Sequence, residues 1–210
     1  MDKNDDNANC CQHVCEKGVI ITEGPVTGLY LSTLEFDQKL DNFRKAIKQK
    51  SCLCEIADSP DGSIYIARCY STVVGYATFH NPDPSSRWFQ HPSVLELGAV
   101  EVSPAWRHYK LAQRILSLAF SNPLMENHIV ITMEYSWHWD LDGSALSLWN
   151  YQKMLTKLFG SVGMQRISTN DPEIMENPAN VLMARIGKNI TPQQAELFDH
   201  LRFSDNILIS

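Results

Sequence analysis

The sequence predicts an α+β (mixed α/β) fold, and three observations carry that prediction. The stretch Leu95–Ala112, LELGAVEVSPAWRHYKLA, runs as a strand, breaks at Ser103-Pro104 and passes through a short basic loop into the apolar helical run Gln113–Phe120. An apolar, β-rich run, His128–Tyr135, comes next, and a strand–helix–strand order of this length implies a parallel or adjacent crossover pairing between Val94–Val102 and His128–Tyr135. Upstream, Ile64 and Ile66 and then Val73, Val74, Tyr76, Thr78 and Phe79 form two strands joined by a turn at Cys69–Thr72, which is a hairpin.

The remaining elements follow in order. Residues 1–16 are polar and acidic and are expected to form a mobile tail, leaving 17–210 as a single domain. Gly18–Glu23 is a short β-type run ended by Gly24-Pro25. From Thr33 to about Lys50, Leu34, Leu40, Phe43, Ala46 and Ile47 recur near helical spacing, as one long amphipathic helix or two joined ones. Asn81-Pro82-Asp83-Pro84-Ser85-Ser86 opens a loop reaching to about Ser93. The central helix spans about Leu111 to Phe120 and closes at Ser121-Asn122-Pro123. Ser147–Phe159 is helical, with Leu148, Tyr151, Leu155, Leu158 and Phe159 on one side. Met164–Ser168 and Asn180–Ile186 are further strands. The last helix opens at Thr191, with Pro192 at the first helical position and Gln194 completing a capping box.

Composition narrows the function. In 210 residues, apolar side chains make up 44% and charged ones 20%, ordinary for a globular chain with a full core. A formal net charge of −6 argues against non-specific nucleic-acid binding, which needs a broad basic face. No apolar run approaches the roughly 20 residues that cross a bilayer, and Met1–Asn9 has no secretory character. A cytoplasmic location without membrane or nucleic-acid partners is expected. Cys10, Cys11 and Cys15 cluster near His13, but CC-x3-C with one His fits zinc poorly, so no metal is expected and the six cysteines are taken as reduced thiols.

Chemistry concentrates at the strand–loop–helix joint. Such a joint leaves backbone N–H groups without partners at one point, and with the helix dipole they favour a phosphate. Arg107, His108 and Lys110 add local positive charge to an acidic chain. The plain alternative is a solvated basic loop.

The hairpin, the strand with V-x-V-x-P, the R-x-x-x-x-A loop, the helix, the strand and the late helix together resemble the GCN5-related N-acetyltransferase (GNAT) family. The segments LELGAVEVSPAWR, MEYSWHWDL, the DPEI run at Asp171–Ile174 and PANVLMARIGKN are similar to one bacterial subgroup of it. The resemblance implies a mostly antiparallel central sheet with a splayed parallel pair and flanking helices. It also implies a protein lysine acetyltransferase that uses acetyl-CoA to modify, and so restrain, acetyl-CoA synthetase. The family's phosphate loop reads Q/R-x-x-G-x-G/A, and Lys110 stands where the first glycine is expected. Glycine there accommodates positive φ and close approach of backbone to pyrophosphate.

Under this resemblance, the backbone of Val100, Glu101 and Val102 holds the pantetheine arm. The amides of His108, Tyr109, Lys110, Leu111 and Ala112, with Arg107, hold the pyrophosphate. A lysine amine with a reference pKa near 10.4 is neutral in roughly one molecule in 2,500 at pH 7, a deficit of about 4.6 kcal/mol, so a general base is needed. Glu96 falls where protein acetyltransferases of the family carry that base, and Glu101 replaces it if the strand is bulged. The alternative for either is a strand-edge carboxylate, exposed or paired with an arginine. Trp137, His138 and Trp139 line an acceptor-lysine groove or are aromatics packed beneath a loop. Tyr151 is a proton donor to the leaving thiolate or a core aromatic. Asp171-Pro172-Glu173 and Lys188-Asn189 are expected to be loop chemistry only. Two further functions stay open, a small-molecule amine acetyltransferase and a catalytically silent acetyl-CoA-sensing or partner-binding fold.

Overall fold

The structure, a computed structural model, describes residues 9–204. In chain order the elements are β1 (Asn9–Cys15), β2 (Gly18–Val26), α1 (Gly28–Thr33), β3 (Glu35–Phe36), α2 (Ala46–Asp58), β4 (Ser63–Cys69), β5 (Thr72–His80) and β6 (Val94–Val102). Then follow α3 (Leu111–Phe120), β7 (Ile129–Glu134), α4 (Leu141–Ser144), α5 (Leu148–Gly160), β8 (Gln165–Ile167), α6 (Pro172–Met175), β9 (Val181–Ile186) and α7 (Pro192–Arg202). They divide into two compact units. One holds the described residues up to His80 with Gly98–Ser121, and the other holds Asn81–Leu97 with the described residues from Asn122 on.

In the first unit β2 pairs antiparallel with β1 and β4, and β4 with β5. The predicted hairpin is present as β4 and β5, and the central strand and helix keep their expected limits as β6 and α3. Three expectations change. Asn9–Cys15, placed in a mobile tail, pairs with β2 along its whole length, from Asn9 opposite Gly24 to Cys15 opposite Gly18, while residues 1–8 lie outside the described residues. Strand β2 runs past Gly24-Pro25 to Val26, absorbing the interruption as a register shift between Glu23 and Val26. The predicted helix from Thr33 to Lys50 is instead the end of α1, the short strand β3 and an irregular stretch before α2 begins at Ala46. The amides there are committed elsewhere, since Glu35 N donates to Ser71 O at 2.8 Å and Asp37 N to Val73 O at 3.0 Å. Leu34, Phe36 and Leu40 therefore enter the core one by one, against Leu53, Ile64, Ile66, Val73 and Tyr76, and not as a helical stripe.

In the second unit the first residues of β6 run parallel to β7, from Val94 opposite Ile129 to Glu96 opposite Ile131. Strand β7 pairs antiparallel with β9, and β9 with β8. The capping box of α7 is formed as predicted, with Thr191 accepting from Gln194 N. Gln194 then reaches back to donate from Nε2 to Ser93 Oγ at 2.6 Å. His91 accepts from Ser93 N at Nδ1, so its proton sits on Nε2 and donates to Gln194 O at 2.9 Å.

The loop after Asn81 is less open than its composition suggests. Ser86 caps a 3-10 turn at Arg87–Gln90, which drives Trp88 to full burial beside Phe198, ring centroids 5.5 Å apart. Arg87 is buried with it, donating from Nη1 to Asn170 Oδ1 at 2.6 Å and to Leu201 O at 3.2 Å. Replacing Trp88 with Ala is expected to destabilise the protein by about 3–5 kcal/mol, read as a lowered urea midpoint.

Candidate active site

The bend after β6 is built from the first unit alone. Ser103 N donates to Val74 O at 2.9 Å, ending the strand, and Pro104 starts a 3-10 turn that runs to Tyr109. Lys110 then takes φ +57° and ψ +31°, the left-handed conformation that glycine adopts freely, and α3 begins at Leu111. The lysine thus keeps the backbone shape expected of a glycine at this position.

No side chain caps the first turn of α3, and that turn carries no acidic residue. Arg107, His108, Lys110 and Arg114 gather instead at the positive end of the helix dipole, where cations are disfavoured and an anion is stabilised. Ser103 Oγ is fully buried beside this bend without a hydrogen-bond partner. An uncapped helix start, surplus positive charge and an orphaned hydroxyl fit a phosphate-bearing ligand. The bend is anchored from the N-terminal hairpin. Lys17 Nζ donates to Ala105 O at 2.6 Å and lies 4.9 Å from the Trp106 ring centre, while Tyr109 donates to Glu16 Oε1 at 2.8 Å. That hydrogen bond to Glu16 pushes the Tyr109 hydroxyl up to about 12.

Within β6, Val100 and Val102 are half-buried, and Arg107 Nε donates to Val102 O at a long 3.4 Å. Glu101 is 6% exposed and its carboxylate is fully engaged, accepting from Tyr76 OH at 2.5 Å and from Asn42 N at 2.9 Å. Burial raises its pKa, and the two donors pull it back. This carboxylate ties the irregular stretch before α2 to the strand. Glu96 is half-buried in the second unit, at the last rung of the parallel ladder.

The second unit joins the distinctive sequence segments. Tyr135 OH donates to Glu173 Oε2 at 2.7 Å, Ser136 N donates to Asn180 Oδ1 at 2.8 Å, and Gln152 Nε2 donates to Ala179 O at 2.8 Å. The residues expected to be loop chemistry thus have structural roles. Asp171 caps α6, lies 3.6 Å from Arg87 Nε and places Glu173, while Lys188 N donates to Glu126 Oε2. The predicted acceptor aromatics separate. Trp137 is exposed and stacks on Tyr135, centroids 4.6 Å apart, with His138 edge-on to both rings. Trp139 turns inward to 9% exposure and stacks on half-buried Tyr151 at 5.3 Å.

One residue escaped the sequence analysis. Glu134 ends β7 and accepts from Thr132 Oγ1 at 2.9 Å, and the buried indole N–H of Trp139 lies near it without a hydrogen bond of its own. Dehydration by burial outweighs these two influences and pushes the carboxyl up to about 7. The only available signal was a glutamate closing an otherwise apolar strand, and nothing in that pattern specifies how deeply its carboxyl is enclosed.

No protein-family model matches the chain. A curated relative, the acetoin utilization protein AcuA of Bacillus licheniformis, is 44% identical over 195 residues, covering 92% of this chain and 93% of the relative. The chain belongs to the acetoin utilization protein AcuA family. A crystal structure of an acetoin utilization protein from Exiguobacterium sibiricum superposes with a TM-score of 0.89 at 40% identity, covering 94% of this chain and 95% of that one. The GNAT domain of S. lividans PAT reaches a TM-score of 0.51 at 13% identity over 84% of this chain and 96% of its own, so the fold is that of GNAT domains.

Two substitutions probe this geometry. Lys110→Gly is expected to keep or raise stability, by up to about 1 kcal/mol in urea denaturation, because it relieves the left-handed strain. Glu134 binds its proton more tightly folded than unfolded, so its contribution is present in full below pH 4.5 and is lost as pH rises to about 7. That loss is of order 3 kcal/mol, so Glu134→Gln is expected to gain stability over the parent at pH 8 and not at pH 4.

Proposed function

We propose that the chain is an acetyl-CoA-dependent protein lysine N-acetyltransferase that modifies, and so restrains, acetyl-CoA synthetase. The observation that carries the proposal is the bend at Lys110, where an uncapped helix start collects positive charge at the end of β6. The family and the fold support the same reading. Arg107 and the amides of His108 through Ala112 would hold the pyrophosphate, and the backbone of Val100 to Val102 the pantetheine arm.

Glu96 takes the proton from the acceptor amine, which then attacks the thioester carbonyl directly. A C–N bond forms, the nitrogen sheds its second proton to solvent, the C–S bond breaks and the thiolate takes up a proton. Glu101 is held by Tyr76 and Asn42 and serves as a positioning residue. Glu134 and Tyr151 are the candidate donors for the departing thiolate, since a carboxyl near 7 retains its proton in about half the molecules at neutral pH. Trp137, exposed and stacked on half-buried Tyr135, suits an open protein-facing surface better than a closed pocket for a small amine. No helix among the described residues is long and apolar enough to cross a membrane, and a cytoplasmic location fits the substrates.

Incubation with acetyl-CoA and acetyl-CoA synthetase, followed by peptide mass spectrometry, is expected to reveal acetyl-lysine on the synthetase. Glu96→Gln should lower the rate by about 10²–10⁴-fold with acetyl-CoA binding retained. A parent protein that binds acetyl-CoA and transfers nothing to the synthetase would overturn the reading.

A further inference from the structure

A groove of about 470 Å³ lies in the first unit between α3 and the β1–β2 hairpin. Its helix wall follows from periodicity, because residues 110, 114, 117 and 121 fall on one face at intervals of three and four. Its sheet wall follows from register. Cys11 lies opposite Thr22 and His13 opposite Ile20, so Cys11, His13 and Thr22 share a face, and Cys10 opposite Glu23 points the other way. The apolar side of α3, with Ile115, Leu116 and Ala119, is buried elsewhere, and small polar side chains such as Ser117 and Thr22 leave the space between the walls open.

The charge in this groove is one-sided. Lys110, Arg114 and His13 line it and, among the described residues, no carboxylate does, on a chain of net charge −6. Within the described residues, the side chains of Lys110 and His13 make no hydrogen bond or ion pair, and the Arg114 side chain makes one long contact, Nε to Tyr109 O at 3.4 Å. Like charges one helical turn apart repel by a few tenths of a kcal/mol, roughly, and here they also face the positive end of the helix dipole. An anion in the groove would relieve both. Cationic and hydroxyl donors come from the helix side and from the strand side, more than one planar carboxylate can take up, and they suit a tetrahedral oxyanion. The volume suits a phosphate head with a short carbon body.

We propose that this groove is a binding site for a small organic phosphate monoester, distinct from the thioester site and overlapping it at Lys110, whose side chain serves the groove and whose amide serves the bend, and in the positive charge of Arg114. The proposal does not depend on the acetyltransferase reading.

Cys11 reports on it directly. The exposed thiols of Cys10 and Cys11 lie on opposite faces of β1, so Cys10 is an internal reference in the same peptide. The full chain is alkylated with iodoacetamide and the two sites are resolved by fragmentation mass spectrometry. Glycerol 3-phosphate is expected to slow alkylation of Cys11 about fivefold or more relative to Cys10, whereas glycerol and sodium chloride at matched ionic strength are not. Arg114→Gln should abolish the protection and Arg114→Lys should retain part of it. Equal rates at both thiols with and without glycerol 3-phosphate would overturn the proposal, as would equal protection by chloride. Protection by acetyl-CoA alone would assign the groove to the thioester site and overturn it as well.

Discussion

The left-handed turn at Lys110 is the constraint on which the functional geometry rests. A chain leaving β6 must reverse quickly enough for α3 to return across the sheet, and one residue with positive φ achieves this. That reversal starts α3 with no side-chain cap on its first turn. The basic residues around it then have no acidic counterpart in the turn. Strain, uncapped amides and unbalanced charge occur together, and an anion at that point relieves the last two.

The second unit organises itself around a few polar anchors. Asn180 receives Ser136 N and donates to Glu173 O, while Glu173 receives Tyr135 OH. Three separated sequence segments thereby fix one aromatic surface, and the exposed Trp137 rests on a tyrosine whose hydroxyl is already held. The inward turn of Trp139 has the opposite effect. It carries an unsatisfied N–H into the interior beside Glu134, where a dehydrated carboxyl retains its proton to unusually high pH.

Much of this was legible from local pattern. Val94–Val102, Leu111–Phe120 and the Thr191 capping box are set by interactions within a few residues, and they stand where the sequence places them. Asn9–Cys15 was not legible because its alternation is written in Cys, Gln and His, and its order comes from pairing with β2. The stretch from Leu34 to Lys45 misleads for a related reason, since its apolar spacing is helical while its amides pair with β5 and its neighbours. At the site, Glu101 and Glu96 look alike in sequence. Tyr76 and Asn42 distinguish them, and both partners are remote in the chain. Glu134 was missed because enclosure is a tertiary property.

The clamp of Lys17 and Glu16 on Ala105 and Tyr109 has a thermodynamic corollary. Strand β1 is the outer strand of its sheet, joined to the rest chiefly through β2. Its peeling away would release the segment that supports the bend. Linkage is reciprocal, so whatever free energy a ligand gains from an intact clamp is returned as resistance to fraying of the amino-terminal ribbon. Amide exchange along Asn9–Cys15 therefore senses occupancy of a site those residues do not themselves form.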